Sequence, residues 1–190
     1  MAPRKRELLL LRHGIAEERG ADRDDAQRAL TPHGRERLAL VIRRLAALEL
    51  HCDVVLSSPL VRARQSAELV RELGLAPALE LALALAPLND PLPLLERWLG
   101  PLSPRPGWRR LALVGHEPDL SILAALLIGV PKAAAPQALR LKKAGVAVLQ
   151  WPSRAEGPLV GSAQLALLLS PKSLLAPPVG SATEPDLGGP

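Results

Sequence analysis

Three short apolar runs in this 190-residue sequence end in groups that bind or attack anions. Glu7-Leu8-Leu9-Leu10-Leu11 runs into Arg12-His13-Gly14. Asp53-Val54-Val55-Leu56 runs into Ser57-Ser58-Pro59, with Arg62 close behind. Arg110-Leu111-Ala112-Leu113-Val114 runs into Gly115-His116. Two guanidinium groups and two imidazoles suit a phosphoryl group. A guanidinium grips phosphate oxygens through paired N–H donors and stays charged at any working pH, which makes arginine better than lysine for orienting a tetrahedral dianion. A histidine that attacks phosphorus must be neutral, and neighbouring positive charge lowers its pKa toward that form. Phosphoryl transfer is mostly positioning plus stabilisation of charge on the equatorial oxygens, so enough built-in cations remove the need for a metal. The four histidines and Cys52 contain no closely spaced ligand pair, so neither a metal nor another cofactor is expected.

These groups meet only if the runs are parallel neighbours whose carboxyl ends converge, the place where ligands collect in open α/β sheets. Each run is short, continuous and apolar, as in strands buried on both faces. A polar loop from Ala16 to about Ala29 follows the first. Thr31 then offers an N-cap, Pro32 takes the first helical position, and Leu38, Val41, Ile42, Leu45 and Leu48 recur at helical spacing to about Glu49. Ser57-Ser58-Pro59 turns the second run into a helix with Ala63, Ala67, Val70 and Leu73 inward, stopped by Gly74. Arg62 then lies in a first helical turn, whose free N–H groups also favour an anion, and Gly14 is expected to let backbone approach the phosphate. The Ala-, Leu- and Pro-rich segment 76–93 predicts a short strand near Leu79 to Leu83, and Asp90 is placed to cap a helix from Pro91 to Leu99. A helix from about Pro118 to Leu127 follows the third run, and Gly145 to Trp151 and Ala163 to Leu169 read as two further strands. The alternation predicts an α/β domain layered on a mostly parallel sheet. Residues 1–6 are expected to be a disordered basic start and 171–190 a disordered Pro/Gly-rich tail, leaving 7–170 as one domain.

Four ordered segments carry a resemblance. Leu11-Arg12-His13-Gly14 resembles the signature of the histidine phosphatase superfamily, which includes the phosphoglycerate mutases. Leu30-Thr31-Pro32-His33-Gly34 resembles its leucine-threonine-x-x-glycine helix start. Ser57 to Ser66 resembles its serine-proline-x-x-arginine-alanine-x-glutamine-threonine segment, and Val114-Gly115-His116 resembles its second histidine. The resemblance implies a phosphoglycerate mutase-like three-layer α/β/α sandwich. It also implies that His13 is the phosphoacceptor and that Arg12, Arg62 and His116 form the phosphate pocket. The small size looks most like the SixA-type phosphohistidine phosphatases, whose substrate is a phosphorylated protein such as a histidine-phosphotransfer domain.

The leaving-group acid is less plain. Superfamily members acting on alkyl phosphates usually supply a glutamate after the third strand, where this chain has Ala84-Leu85-Ala86-Pro87-Leu88-Asn89-Asp90. Asp90 and Glu117 are the candidate carboxyls, and Ser58 is a further candidate phosphate donor beside its role in the turn. A phosphohistidine substrate needs an acid less, because an imidazole protonated on its other nitrogen leaves as a neutral ring. The expected reaction is therefore removal of phosphate from protein phosphohistidine, with small phosphomonoesters such as sugar or nucleotide phosphates as the alternative and a non-catalytic phosphoprotein-binding module behind both.

Composition narrows the rest. The net charge of +5 is spread among acidic residues, and the chain has no Phe or Tyr and three Trp, so stacking platforms for nucleic acid are nearly absent. No run reaches the roughly 18 apolar residues of a membrane span. Cys52 alone allows no internal disulfide, and a reducing, cytoplasmic setting is expected. His33, His51, Cys52 and Arg64 read as surface or structural residues.

Overall fold

The computed structural model describes residues 5–20, 24–151 and 157–177. Six strands form one sheet: β1 (Arg6–Arg12), β2 (Val54–Ser57), β3 (Leu79–Leu81), β4 (Arg110–Gly115), β5 (Val146–Trp151) and β6 (Gln164–Leu169), in the order β3-β2-β4-β1-β5-β6. β3, β2, β4 and β1 are mutually parallel, while β5 and β6 run antiparallel beyond β1. Parallel strands need crossovers, and helices supply them. The crossovers are α1 (Pro32–Ala47), α2 (Val61–Glu72) and α3 (Leu92–Leu99), while α4 (Asp119–Leu127) and α5 (Ala135–Ala138) lead from β4 into the antiparallel β5, and α6 (Pro171–Leu174) follows β6.

Alternation along β1 divides the interior. Leu9 and Leu11 face α1 and α2, in a core that includes Leu38, Ile42, Leu45, Ala63, Ala67 and Val70. Leu8 and Leu10 face the other way, onto Leu95 and Trp98 of α3 and Leu120, Leu123 and Leu127 of α4. The four β1 leucines have no exposed surface. This is why the strand reads as an unbroken apolar run, and it makes the three-layer α/β/α sandwich that the resemblance implies.

Strand register brings the chemistry to one level. Arg12 lies beside Gly115, Ser57 beside Val114, and the ladder extends one residue further through His13 N–H to Gly115 O at 3.1 Å and Ser58 N–H to Val114 O at 3.0 Å. The ends of β1, β2 and β4 therefore stop within about one residue of each other.

Two boundaries differ from expectation. β1 begins at Arg6, whose guanidinium donates to Leu99 O at 2.7 Å and lies 4.9 Å over the Trp108 ring. The tail does not become structureless at Pro171. Ser170 caps α6 by accepting from Ser173 N–H at 3.1 Å, and Leu174 is buried against the α1 side of the core. One leucine set one turn behind a cap was enough to add the segment to the core. The expected disorder of residues 1–4 and 178–190 falls outside the described residues. Among the described residues, no helix is long and apolar enough to cross a membrane.

Candidate active site

The loop after β1 is held in place by its neighbours on two sides. Thr31 caps α1 by accepting from Gly34 N–H at 2.9 Å. A Cβ on Gly34 would stand 2.0 Å from Ile15 O, so only glycine lets α1 start against this loop. α2 holds the same loop from the other side. Ser66 Oγ accepts from Gly14 N–H at 3.1 Å while donating to Arg62 O at 2.7 Å, and Gln65 Oε1 accepts from Leu30 N–H at 2.7 Å. These are the polar positions of the Ser57 to Ser66 segment that sequence reasoning left without a role. Gly14 is small for a related reason: an added Cβ would meet Leu30 and Gly34 at 3.2 and 3.3 Å. Its packing partners are therefore α1 and the approach to it.

His13 and His116 face each other with ring centroids 5.2 Å apart, and both are buried. His13 Nδ1 lies 2.7 Å from Gly14 O. A carbonyl only accepts, so Nδ1 carries the ring proton and Nε2 presents a lone pair. Ser58 Oγ lies 2.8 Å from His116 Nε2 and accepts from Leu60 N–H at 3.3 Å; with the Ser58 hydroxyl donating to Nε2, the neutral ring's own proton sits on Nδ1. Burial, and then the neighbouring His116, Arg62 and Arg12, push the His13 pKa down to about 3; the hydrogen bond to Gly14 opposes them only in part. Burial and Arg62 bring His116 to about 4. Both rings are neutral at pH 7.

A cavity of about 370 Å³ opens on this cluster, lined by Arg12, His13, Arg62, His116 and Glu117 and by Arg19, Arg28 and Lys143. Arg12 donates to Leu141 O at 2.9 Å. Arg62 donates to Asp25 O at 2.6 Å and to Asp25 Oδ2 at 3.0 Å, and Asp25 Oδ1 also accepts from Arg19 and Arg28. Among the described residues, the buried side-chain polar atoms without a hydrogen-bond partner are Arg12 Nε, Arg62 Nε and His116 Nδ1. All three belong to residues of this one cavity, all three are donors once His116 has the tautomer above, and unpaired buried donors are costly unless something accepts from them. A tetrahedral oxyanion supplies acceptors in the right number.

Glu117 borders the cavity with its carboxyl accepting from Ser121 Oγ at 2.7 Å, and burial raises its pKa. Asp90 is elsewhere. Its Oδ1 accepts from Leu92 N–H at 2.9 Å at the start of α3, and it borders a separate groove, so the structure removes it from the candidate acids. Sequence reasoning missed Asp25, Arg19, Arg28 and Lys143. The first three fall in the polar loop after His13, where loop position carries no periodicity to read. His33 is exposed, Arg64 pairs with Glu68 on the helix surface, and Cys52 is buried with its thiol pushed up to about 12, so these stay structural as expected. A larger cavity of about 770 Å³ lies at the opposite strand ends, where Asp53 accepts from Arg109 N–H and Arg110 N–H and Arg110 pairs with Glu7.

Known proteins match this arrangement. The family model of the histidine phosphatase superfamily (branch 1) matches residues 8–84, which hold Arg12, His13, Ser58 and Arg62. An uncharacterized protein of Picosynechococcus sp. is 40% identical over 173 residues, covering 89% of this chain and 99% of its own. Among solved structures, the protein histidine phosphatase SixA complexed with tungstate superposes with a TM-score of 0.72 at 24% identity, covering 88% of this chain and 99% of that one. A mycobacterial glucosyl-3-phosphoglycerate phosphatase gives 0.68 at 19% identity, covering 88% and 100%. Sequence motif, fold and the unpaired donors around His13 thus agree, and the chain belongs to the histidine phosphatase superfamily as a phosphatase.

Proposed function

We propose that this phosphatase works through a phosphohistidine intermediate on His13 and takes its phosphoryl group from phosphohistidine in a protein. The observation that carries the first part is the set of three unpaired buried nitrogens, Arg12 Nε, Arg62 Nε and His116 Nδ1, around a histidine whose Nε2 is free to attack. Nε2 forms a bond to phosphorus as the bond from phosphorus to the substrate nitrogen breaks. The departing imidazole keeps the electron pair and, protonated on its other nitrogen, leaves neutral. A water oxygen then bonds to phosphorus as the bond from phosphorus to His13 Nε2 breaks; Nε2 keeps the electron pair, which leaves the ring neutral with its proton on Nδ1, and the water proton departs with inorganic phosphate. The charge on the transferring oxygens is met by guanidinium groups and an imidazole N–H already in place, so the step is routed through no metal.

Access supports a protein substrate. The connection between β3 and α3 contributes Pro87 alone to the cavity lining, so no inserted segment of that connection covers His13. The likeness to a protein histidine phosphatase supports the same reading. His13→Ala is expected to abolish both turnover and the acid-labile phosphate label trapped on rapid quenching. Turnover retained in that variant rejects the mechanism.

A second reading rests on Glu117. A carboxyl at the cavity edge whose pKa is raised by burial is a proton donor for an alkoxide leaving group, as small phosphomonoesters require. Glu117→Gln is expected to lower kcat on alkyl phosphates by about 100-fold while changing phosphohistidine turnover by less than about threefold. If wild-type enzyme favours alkyl phosphates over phosphohistidine and depends on Glu117, the second reading replaces the first.

A further inference from the structure

An apolar groove begins where the phosphate cavity ends. Its volume is about 530 Å³, and it runs between the segment Leu88 to Leu92, the outer face of α4 and the turn before β6, with Ile122, Leu126, Val130 and Val160 among its lining residues. The two sites share a wall. Pro87 borders the phosphate cavity and Leu88 the groove; Glu117 borders the cavity and Asp119 the groove. Pro87 and Leu88 are consecutive, with Cα atoms about 3.8 Å apart, so on that side the cavity lining and the groove lining adjoin along the chain.

Leu88 marks this wall in a second way. It is 94% exposed, and its backbone is held in the left-handed region at φ 68° while its N–H donates to Asp119 Oδ2 at 3.3 Å. A leucine gains nothing from exposure and is disfavoured at positive φ, so an apolar side chain pinned there suits a surface that something covers. The groove's rim carries Asp90, Asp119 and Lys132, but its floor is apolar.

We infer that this groove is the subsite for the polypeptide that carries the phosphohistidine, and that it takes apolar side chains next to the phosphorylated residue. The inference rests on the protein phosphohistidine reading above. The occupant follows from continuity: a polypeptide that delivers a phosphoryl group to His13 from this side extends over Leu88, and the floor of the groove beyond offers it apolar surface. A polar leaving group such as a sugar would find little to bind.

The test uses the full chain and two phosphohistidine peptides identical except for leucines or serines on both sides of the phosphohistidine. Wild-type enzyme is expected to favour the leucine peptide by about tenfold in kcat/KM, expressed mainly in KM, as burial of an apolar side chain allows. Leu88→Asn, which keeps a residue tolerant of positive φ, and Ile122→Gln are each expected to shrink that preference to about twofold or less and to leave p-nitrophenyl phosphate hydrolysis unchanged. Equal rates for the two peptides in wild-type enzyme, or a preference that survives both substitutions, overturns the subsite alone. An equal loss on p-nitrophenyl phosphate in both variants also overturns it. Hydrolysis of p-nitrophenyl phosphate with no turnover of either peptide by wild-type enzyme overturns the phosphohistidine reading and the subsite with it.

Discussion

Protonation at the residue scale decides whether His13 can act. Its ordinary pKa of 6.5 would leave part of it charged near neutrality, and burial followed by the neighbouring His116, Arg62 and Arg12 removes that fraction. The ring resonances of His13 and His116 in an NMR titration are expected to hold their neutral positions from about pH 8 down to about pH 5. A midpoint near 6.5 for His13 would mean that burial and the two guanidinium groups do not govern the ring. The same shift has a stability consequence. The folded pKa lies below the unfolded one, so the unfolded chain binds more protons below 6.5. The contribution of a neutral His13 is complete above 6.5 and is lost as the pH falls from there toward 3, so the denaturant midpoint is expected to drop across that window.

Glycine and hydroxyl positions do the corresponding work between elements. α1 can begin where it does because Gly34 has no Cβ to strike Ile15 O, and α2 stays against the β1 loop because Ser66 spans Gly14 N–H and Arg62 O. Gly34→Ala forces α1 away from the loop that carries His13. It is expected to destabilise by about 3 kcal/mol in denaturant unfolding and to lower kcat in the protein that remains folded. An unchanged midpoint would mean that α1 shifts without cost. The leucine-threonine-x-x-glycine start is thus a packing device that serves the proposed nucleophile at second hand, and its threonine and glycine belong together because the cap places the glycine at the contact.

For the molecule as a whole, the sheet is finished unevenly. Its central strands β2, β4 and β1 are covered on both faces and one edge is the three-residue β3, whereas the other edge is the six-residue β6, with Leu165, Leu167 and Leu168 at 38, 37 and 46% exposure. An edge with apolar side chains and unpaired backbone groups invites pairing with another chain. Leu168→Lys is expected to reduce concentration-dependent light scattering on mild heating while leaving phosphatase activity within about twofold, since a charged edge resists association. Scattering that does not respond assigns the association to another surface. The candidate site lies at the ends of β1, β2 and β4, and β5 separates β6 from β1, so edge and catalysis are separable.

How much of this was legible beforehand depends on what each feature needs. Arg12, His13, Arg62 and His116 stand next to buried apolar runs, and a run of Leu8 to Leu11 in a chain this short can only be a strand covered on both faces; strand ends and chemistry were therefore readable together. The order β3-β2-β4-β1-β5-β6 was not, because apolar runs say that strands are buried but not which lie side by side. Asp25, Arg19 and Arg28 were equally hidden, since nothing in a polar loop records that it folds back over Arg62. Asp90 and Glu117 looked alike as carboxyls near the third and fourth strands, and the fold separated them, by spending Asp90 on a helix start and burying Glu117 beside the cavity. Local hydrophobic patterning was enough to mark where buried strands end and which groups stand there, and the resemblance of the four motifs implied that these ends share one pocket. The protonation of those groups, their unpaired donors and the apolar groove beyond them came from the folded arrangement, because desolvation and contact at a distance depend on what the rest of the chain brings near.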